Sequence, residues 1–217
     1  MEKVVCLVSG GIDSPVACAL AARSFEVIPL HFCIYPHTTK ENLLLSIETM
    51  RRLKEKVGFG RALIFPWARI LSKISGAGGK YTCVLCKIGM LKAAELVCER
   101  EGASAVVTGE SLGQKASQTL QNMAAISAGL RLPVLRPLLT MDKLEVERLS
   151  KELGIWRDEH TGECRFVPRH PVTRARREVI DDLRMRLNLD AEIKGEMDRI
   201  FEIRDFDRDV KVFSLRV

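Results

Sequence analysis

Nowhere in the 217 residues is there an apolar run of the ~18 positions that a membrane-spanning helix needs, and no charged-then-apolar leader opens the chain. The expectation is therefore a cytoplasmic protein with no signal peptide and no membrane partner. Aromatic residues make up only 6%, so little stacking surface is interleaved with the basic residues. No large excess of one charge sign is present: 34 Lys and Arg face 28 Asp and Glu, a net +6 that is compatible with RNA but not diagnostic of it. Internal repeats and low-complexity tracts are also missing. The seven cysteines do not form the spaced framework of a small secreted protein. Cys6, Cys18 and Cys98 fall inside apolar patterns and read as core fillers, and Cys33 closes an apolar run. That leaves Cys83, Cys86 and Cys164. A chain of this length buries a core without such staples.

What is present begins with CLVSGGIDSPVACALAA, residues 6–22. Val4 to Val8 is a short β-branched run suited to a buried strand. Ser9, Gly10 and Gly11 allow a sharp turn with exposed N–H groups, and Asp13, Ser14 and Pro15 suit the first turn of a helix. A strand, a glycine turn and a helix N-terminus together make an anion site, with a phosphate as the expected ligand. An ordinary tight turn is the plainer alternative. The string is not a Walker A loop, which needs GxxxxGK(S/T).

Strand-like and helical runs alternate along most of the chain. Strands are expected at 4–8, 26–33, 62–66, 103–108 and 134–135, and helices at 14–23, 40–57, 83–100, 115–128 and 144–153. This order implies an α/β fold with a parallel sheet and helices on both faces. Asp142 and Glu145 form a capping box for the last of these helices. Gly76, Gly78 and Gly79 read as a flexible loop. The core is expected over residues 1–155. A C-terminal extension of the same domain, 156–217, should hold a polar loop, an Arg-rich helix, a helical stretch from Asp190 and a final strand at 210–215. Ligands of open α/β sheets bind at the carboxyl ends of the strands. Those ends carry Ser9–Ser14, His31–Phe32 and residues 108–118. His31 is read either as a satisfied core histidine or as part of an adenine site.

SGGIDS resembles the PP-loop of the ATP pyrophosphatases, which split ATP between the α- and β-phosphates and adenylate a substrate. With TGESLGQKASQTLQNM at 108–123, HFCIYPHTTKE, VLRPLLTMDKLEVERLSKELG and GECRFVPRHPVT, the sequence resembles the catalytic domain of the tRNA 4-thiouridine synthetases, the ThiI family. The resemblance covers Val4 to Val212. It implies a PP-loop ATP pyrophosphatase fold and a reaction that adenylates O4 of a tRNA uridine and replaces it with sulfur. The implied nucleotide contacts are Leu7, Val8, Ser9, Gly10, Gly11, Asp13, Ser14, His31, Phe32, Lys87, Gly109 and Gln118. Asp13 would organise Mg²⁺ and the phosphates, and Cys164 would take part in sulfur transfer. Lys87 read on its own is a solvated helix lysine. Family members usually carry an N-terminal THUMP region, and many bacterial ones a C-terminal rhodanese domain. Neither pattern is seen here, so RNA grip and sulfur delivery are expected to involve a separate THUMP-containing partner, a homodimer or an external donor, either sulfide or a cysteine desulfurase persulfide.

Cys83 and Cys86 lie one turn apart at a helix start, where the dipole favours thiolates. Three thiolates, Cys83, Cys86 and Cys164, without an obvious fourth ligand suggest a 4Fe-4S cluster with one open iron, or a 3Fe-4S cluster. Zinc with His160 or His170 as fourth ligand is one alternative, and Cys164 acting without metal is another. Arg165, Arg169, Arg174, Arg176 and Arg177 follow with no acidic residue between them and could position RNA phosphates. The expected function is ATP-dependent tRNA sulfurtransfer. The alternatives are an adenylating enzyme for a small molecule, as in thiamine or other sulfur metabolism, and a non-catalytic nucleotide-binding sulfur carrier.

Overall fold

The computed structural model describes residues 1–159 and 164–214. Six strands form one sheet in the order β5-β4-β1-β2-β3-β6. They are β1 (Lys3–Leu7), β2 (Glu26–Cys33), β3 (Ala62–Pro66), β4 (Ala105–Val107), β5 (Val134–Leu135) and β6 (Phe201–Ile203). All pairings are parallel except β3 with β6. The helices are α1 (Asp13–Ala21), α2 (Lys40–Val57), α3 (Ala68–Gly78), α4 (Thr82–Glu101), α5 (Leu120–Ser127), α6 (Lys143–Glu152), α7 (Arg177–Leu187), α8 (Leu189–Glu196) and α9 (Phe206–Ser214).

The period of two along each strand divides the core between two faces. Val4 and Cys6 of β1 point into a layer closed by α1, α2, α6 and α9. Val5 points the other way, into a layer built on α3, α4, α5, α7 and α8. The central strands, covered on both sides, are apolar over most of their length, with His31 of β2 as a buried exception. The second layer is organised around Trp67, which is fully buried and packs edge-on against Phe32 at 5.1 Å and Phe65 at 5.8 Å. Truncating a buried tryptophan of this kind costs about 3–5 kcal/mol.

The α/β expectation and the five core strands hold, and Asp142 and Glu145 make the anticipated capping box. Four details differ. Gly76 and Gly78 are not a loop; they lie in α3, whose Ile70, Leu71 and Ile74 supply a buried stripe that outweighs the glycines' poor helix propensity. Gly78 has a packing reason to be there, since a Cβ would meet Thr82 Oγ1 at 2.9 Å. The helix expected at 115–128 is split: a single 3-10 turn covers Ala116–Gln118, and Thr119 then caps α5 by accepting from the Asn122 N–H.

No strand forms at 210–214, which belong to α9; residue 215 lies outside the described residues. The alternating Val-Lys-Val pattern misleads there because the Asp205 carboxylate accepts from the Asp207 and Arg208 N–H groups and starts a helix. Its Phe206, Val210 and Phe213 then recur at helical spacing and pack on Phe59 and Phe201. The strand at that edge of the sheet is instead β6, which the sequence pattern did not suggest. Finally, the Arg-rich segment is mostly loop: Arg165, Arg169, Arg174 and Arg176 precede α7, and only Arg177 starts it.

Candidate active site

After β1, β2 and β3 the chain returns to place β4 on the other side of β1. The strand order therefore reverses at the carboxyl end of β1, where an open α/β sheet forms its crevice. A cavity of 440 Å³ opens at that point. Leu7, Val8, Ser9, Gly11, Asp13, Ser14, His31, Phe32, Lys87, Gly109, Gln118 and Cys164 all line it. Gly10 lines a second cavity of 320 Å³, which also holds Cys83, Cys86 and Cys164. The two share Ser9, His31, Phe32, Lys87, Met90, Lys115 and Cys164, so they are two chambers of one cleft.

The loop between β1 and α1 is closed by its own serines. Ser9 N–H donates to Ser14 Oγ at 2.8 Å, the two hydroxyls lie 3.0 Å apart, and Gly11 N–H donates to Ser9 Oγ at 3.3 Å. The first turn of α1 faces this loop, which gives the site the partial positive charge of a helix N-terminus. Arg157, buried behind it, donates to the carbonyls of Gly10 at 3.4 Å and Leu45 at 3.0 Å. Burial raises the Asp13 carboxyl above its ordinary value, and the charges of Lys115 and Lys143 oppose that shift.

Gly109 explains itself sterically. A Cβ there would lie 2.6 Å from the Ser14 backbone and 2.7 Å from the Asp13 carbonyl carbon. The loop after β4 thus rests directly on the start of α1. Gln118 is buried in the same wall, and its Oε1 has no hydrogen-bond partner among the described residues. A buried acceptor left this way is costly, and a donor that reached this wall would relieve it. His31 is also buried, and its Nδ1 must donate to the Val8 carbonyl, 2.9 Å away, because a carbonyl only accepts. Burial lowers its pKa, which keeps the ring neutral with Nε2 as an acceptor.

Residues not anticipated from sequence complete the other wall. Glu110 is buried and bridges Lys87 Nζ at 2.7 Å and Arg136 Nε at 2.8 Å. Burial pushes its carboxyl up, but the charges and hydrogen bonds of Lys87 and Arg136 outweigh this and hold it below its ordinary value. Glu110 sits inside TGES, where an acidic residue between two small ones beside a strand end was a readable signal. Arg136 had no local signal.

Cys83 and Cys86 stand one turn apart on α4 as expected. Trp67 Nε1 donates to Cys86 Sγ at 3.3 Å. Burial pushes the Cys86 thiol up to about 12, a rise opposed by the Trp67 hydrogen bond and reinforced by Cys164 and Cys83. Burial also raises Cys83, again with Cys164 adding to it. The three thiols therefore sense one another across the second chamber. Among the described residues, no three of His, Cys, Asp or Glu are arranged to grip a metal ion as they stand. The all-thiol donor set nevertheless suits iron and sulfur. Of the zinc alternatives, His160 lies outside the described residues and His170 is exposed.

Residues 1–189 match the family described as Thiamine biosynthesis protein (ThiI). The chain is 40% identical over 214 residues to a probable tRNA sulfurtransferase of Methanothermobacter thermautotrophicus, covering 92% of this chain and 54% of that protein. A probable tRNA sulfurtransferase of Thermus thermophilus is 39% identical, covering 85% of this chain and 47% of its own length. The fold superposes on the crystal structure of a 4-thiouridine synthetase–RNA complex with bound ATP at a TM-score of 0.84, with 28% identity over 93% of this chain and 55% of that one. The chain spans about half the length of the curated relatives it matches. The match over residues 1–189 covers the strand–loop–helix unit, β4 and its loop, and the cysteine-bearing segments together, and the chain belongs to the ThiI family.

Proposed function

We propose that this chain is the ATP-using catalytic unit of a tRNA sulfurtransferase that converts a uridine to 4-thiouridine. One observation carries the reading: the self-closed SGGIDS loop, Gln118 and Cys164 all line the same cavity. The solved relative that the fold resembles is a 4-thiouridine synthetase with RNA and ATP.

ATP lies with its phosphates on Ser9–Ser14 and its base toward His31, Phe32 and Gln118. Asp13, the first residue of α1 and part of the cavity lining, would hold Mg²⁺, which when bound would supply charge neutralisation to the phosphates. Uridine O4 attacks the α-phosphorus, the α–β P–O bond breaks, pyrophosphate leaves, and the uracil N3 proton is lost. Sulfur then replaces the adenylated oxygen at C4 and AMP departs. Free sulfide attacks C4 directly, with no change of oxidation state. Alternatively, a cysteine desulfurase persulfide passes its outer sulfur to the Cys164 thiolate, and that persulfide attacks C4 as AMP leaves. The thiol of Cys83 or Cys86 in the same chamber then cleaves the resulting Cys164 S–S bond, leaving a disulfide that an external thiol reduces. Cys83, Cys86 and Cys164 would hold a 4Fe-4S or 3Fe-4S cluster, which when bound supplies a docking point for inorganic sulfide. Without it, their high pKa values leave Cys83 and Cys86 as thiols.

Arg165, Arg169, Arg174 and Arg176, which follow Cys164 along the chain, are exposed and make no ion pairs among the described residues. They position tRNA phosphates, with a steep dependence on salt. A THUMP-containing partner or a second copy strengthens that grip. No helix among the described residues is long and apolar enough to cross a membrane, in keeping with work on cytoplasmic tRNA.

Incubation with MgATP, tRNA and sulfide should give AMP, pyrophosphate and 4-thiouridine, read by mass spectrometry of tRNA nucleosides. ADP and orthophosphate as products would refute the reading. Anaerobic reconstitution should load iron that is reduced in each Cys→Ser variant. Full sulfur transfer by Cys83→Ser and Cys86→Ser, with loss only in Cys164→Ser, would replace the cluster by a persulfide on Cys164.

A further inference from the structure

The wall opposite the phosphate loop holds a charge arrangement whose role the reaction above leaves unassigned. Lys87 lines the cavity that also holds the β1–α1 loop, as Lys115 does, yet its ammonium is bound to Glu110 Oε1 at 2.7 Å. The other carboxylate oxygen is gripped by Arg136 Nε at 2.8 Å and approached by Thr108 Oγ1 at 3.3 Å. Arg136 Nη2 in turn donates to Ser127 Oγ at 2.8 Å. The chain of contacts therefore runs from α4 through the β4 loop to the segment after β5 and the end of α5. These side chains are 27%, 10% and 13% exposed for Lys87, Glu110 and Arg136.

We propose that Glu110, held by Arg136, is the positioning residue that fixes the Lys87 ammonium for the transition state of adenylation; this rests on reading the cavity as an ATP pyrophosphatase site. Two cations and one anion leave the wall with a single net positive charge. A free lysine has several rotamers and makes a diffuse cation. One tethered at a buried carboxylate presents its remaining N–H groups in one direction. Glu110 therefore lowers the attraction for ground-state ATP, because it cancels a charge, while raising the precision with which Lys87 meets the charge that develops at the phosphorus. Only the second effect accelerates chemistry.

This separates positioning from structural support. In Glu110→Gln the wall gains a positive charge but loses the tether. The expected result is an unchanged or lower KM for ATP with kcat reduced about 10- to 100-fold, the penalty for misplacement of a reacting-site group. In Glu110→Gln/Arg136→Gln the net charge returns to that of the wild type and Lys87 is no longer repelled by an unpaired guanidinium. The double variant should be less impaired in kcat than Glu110→Gln alone. A second readout is independent of turnover: acylation of lysines by acetic anhydride, followed by peptide mass spectrometry. Lys87 should be labelled faster in Glu110→Gln than in the wild type, and MgATP should slow the labelling in both. An equal loss in kcat/KM through KM alone, or kcat unchanged in Glu110→Gln, overturns the proposal. So does a Lys87 labelling rate that does not respond to Glu110. Absence of pyrophosphate release by the wild type would instead refute the functional reading, and the labelling result would then decide the tether on its own.

Discussion

Replacing Gly109 with alanine adds one carbon against three backbone atoms that cannot rotate away. The new Cβ would sit 2.6 Å from Ser14 N and Cα and 2.7 Å from Asp13 C, whereas carbon atoms rest at about 3.5–4.0 Å. The β4 loop and the start of α1 must therefore part by roughly 1 Å. Gly109 has no positive φ, so backbone strain does not contribute and the whole effect is steric. Overpacking of this kind costs about 1–3 kcal/mol. In a domain of this size, that lowers Tm by about 2–4 °C for each kcal/mol. The functional loss should be larger than the stability loss, because the displaced atoms are the phosphate loop itself. A shift of ~1 Å at a reacting site costs about 100-fold in turnover.

Gly102→Ala is the control. Gly102 ends α4 with φ +67 and has nothing within 4 Å, so alanine there costs about 1–2 kcal/mol of left-handed strain away from the site. Urea unfolding would match the two variants for stability, and calorimetry with MgATP would compare their affinities. Gly109→Ala should lose ATP affinity and pyrophosphate release, and Gly102→Ala neither. If Gly109→Ala binds ATP as well as Gly102→Ala does, the loop is not braced through Gly109 and the argument fails.

Gly89→Ala should destabilise by about 1–3 kcal/mol, although alanine is the better helix former, because its Cβ would meet Trp67 Cη2 at 2.8 Å; thermal melts would register the drop. Gly76→Ala, exposed in α3 with nothing within 4 Å, should raise stability by about 0.5–1 kcal/mol in the same measurement. Glu95 is buried, and although burial raises its pKa, hydrogen bonds from Lys92, Arg131 N–H and Leu132 N–H bring it below the ordinary value. Its contribution is therefore complete above the unfolded pKa of about 4.3 and is lost as pH falls through the lower folded value. Glu95→Gln should show a shallower fall in urea midpoint below about pH 4 than the wild type.

The turn between β1 and α1 was legible because its geometry is local. Two glycines, a helix start and two serines within six residues of chain already specify a sharp strand-to-helix turn, which Ser9 and Ser14 close by bonding to each other. The helix α4 was legible for the same reason, since a twenty-residue run without proline and rich in Leu, Ala, Glu and Lys carries its own signal. The tie between Glu110 and Arg136 was not, because it is a contact between residues 26 positions apart on different strand ends. Arg157, 147 positions from the carbonyl of Gly10 that it caps, is a more extreme case. The errors at α3 and α9 have another origin. Glycines and an alternating Val-Lys-Val triplet are weak local preferences, and the packing of Ile70, Ile74, Phe206 and Phe213 overrode them.

Helix α4 also explains how one cleft can hold two chemistries. Cys83, Cys86, Lys87 and Met90 recur at helical spacing, and all four line the second chamber, while Lys87 and Met90 line the first as well. Lys87 and the two thiols are thus fixed relative to each other by the rise of a single buried helix. That helix is itself clamped by Trp67 against Gly89 and Cys86. A site carried on such an element keeps its geometry better than one assembled from loops. Cys164, by contrast, comes from a segment outside regular structure, yet it is the cysteine that faces both chambers. Under the proposed reaction this division is functional. The rigid helix sets the distance between the adenylated oxygen and the thiol pair, and Cys164 is the group placed to serve both the uridine and the sulfur.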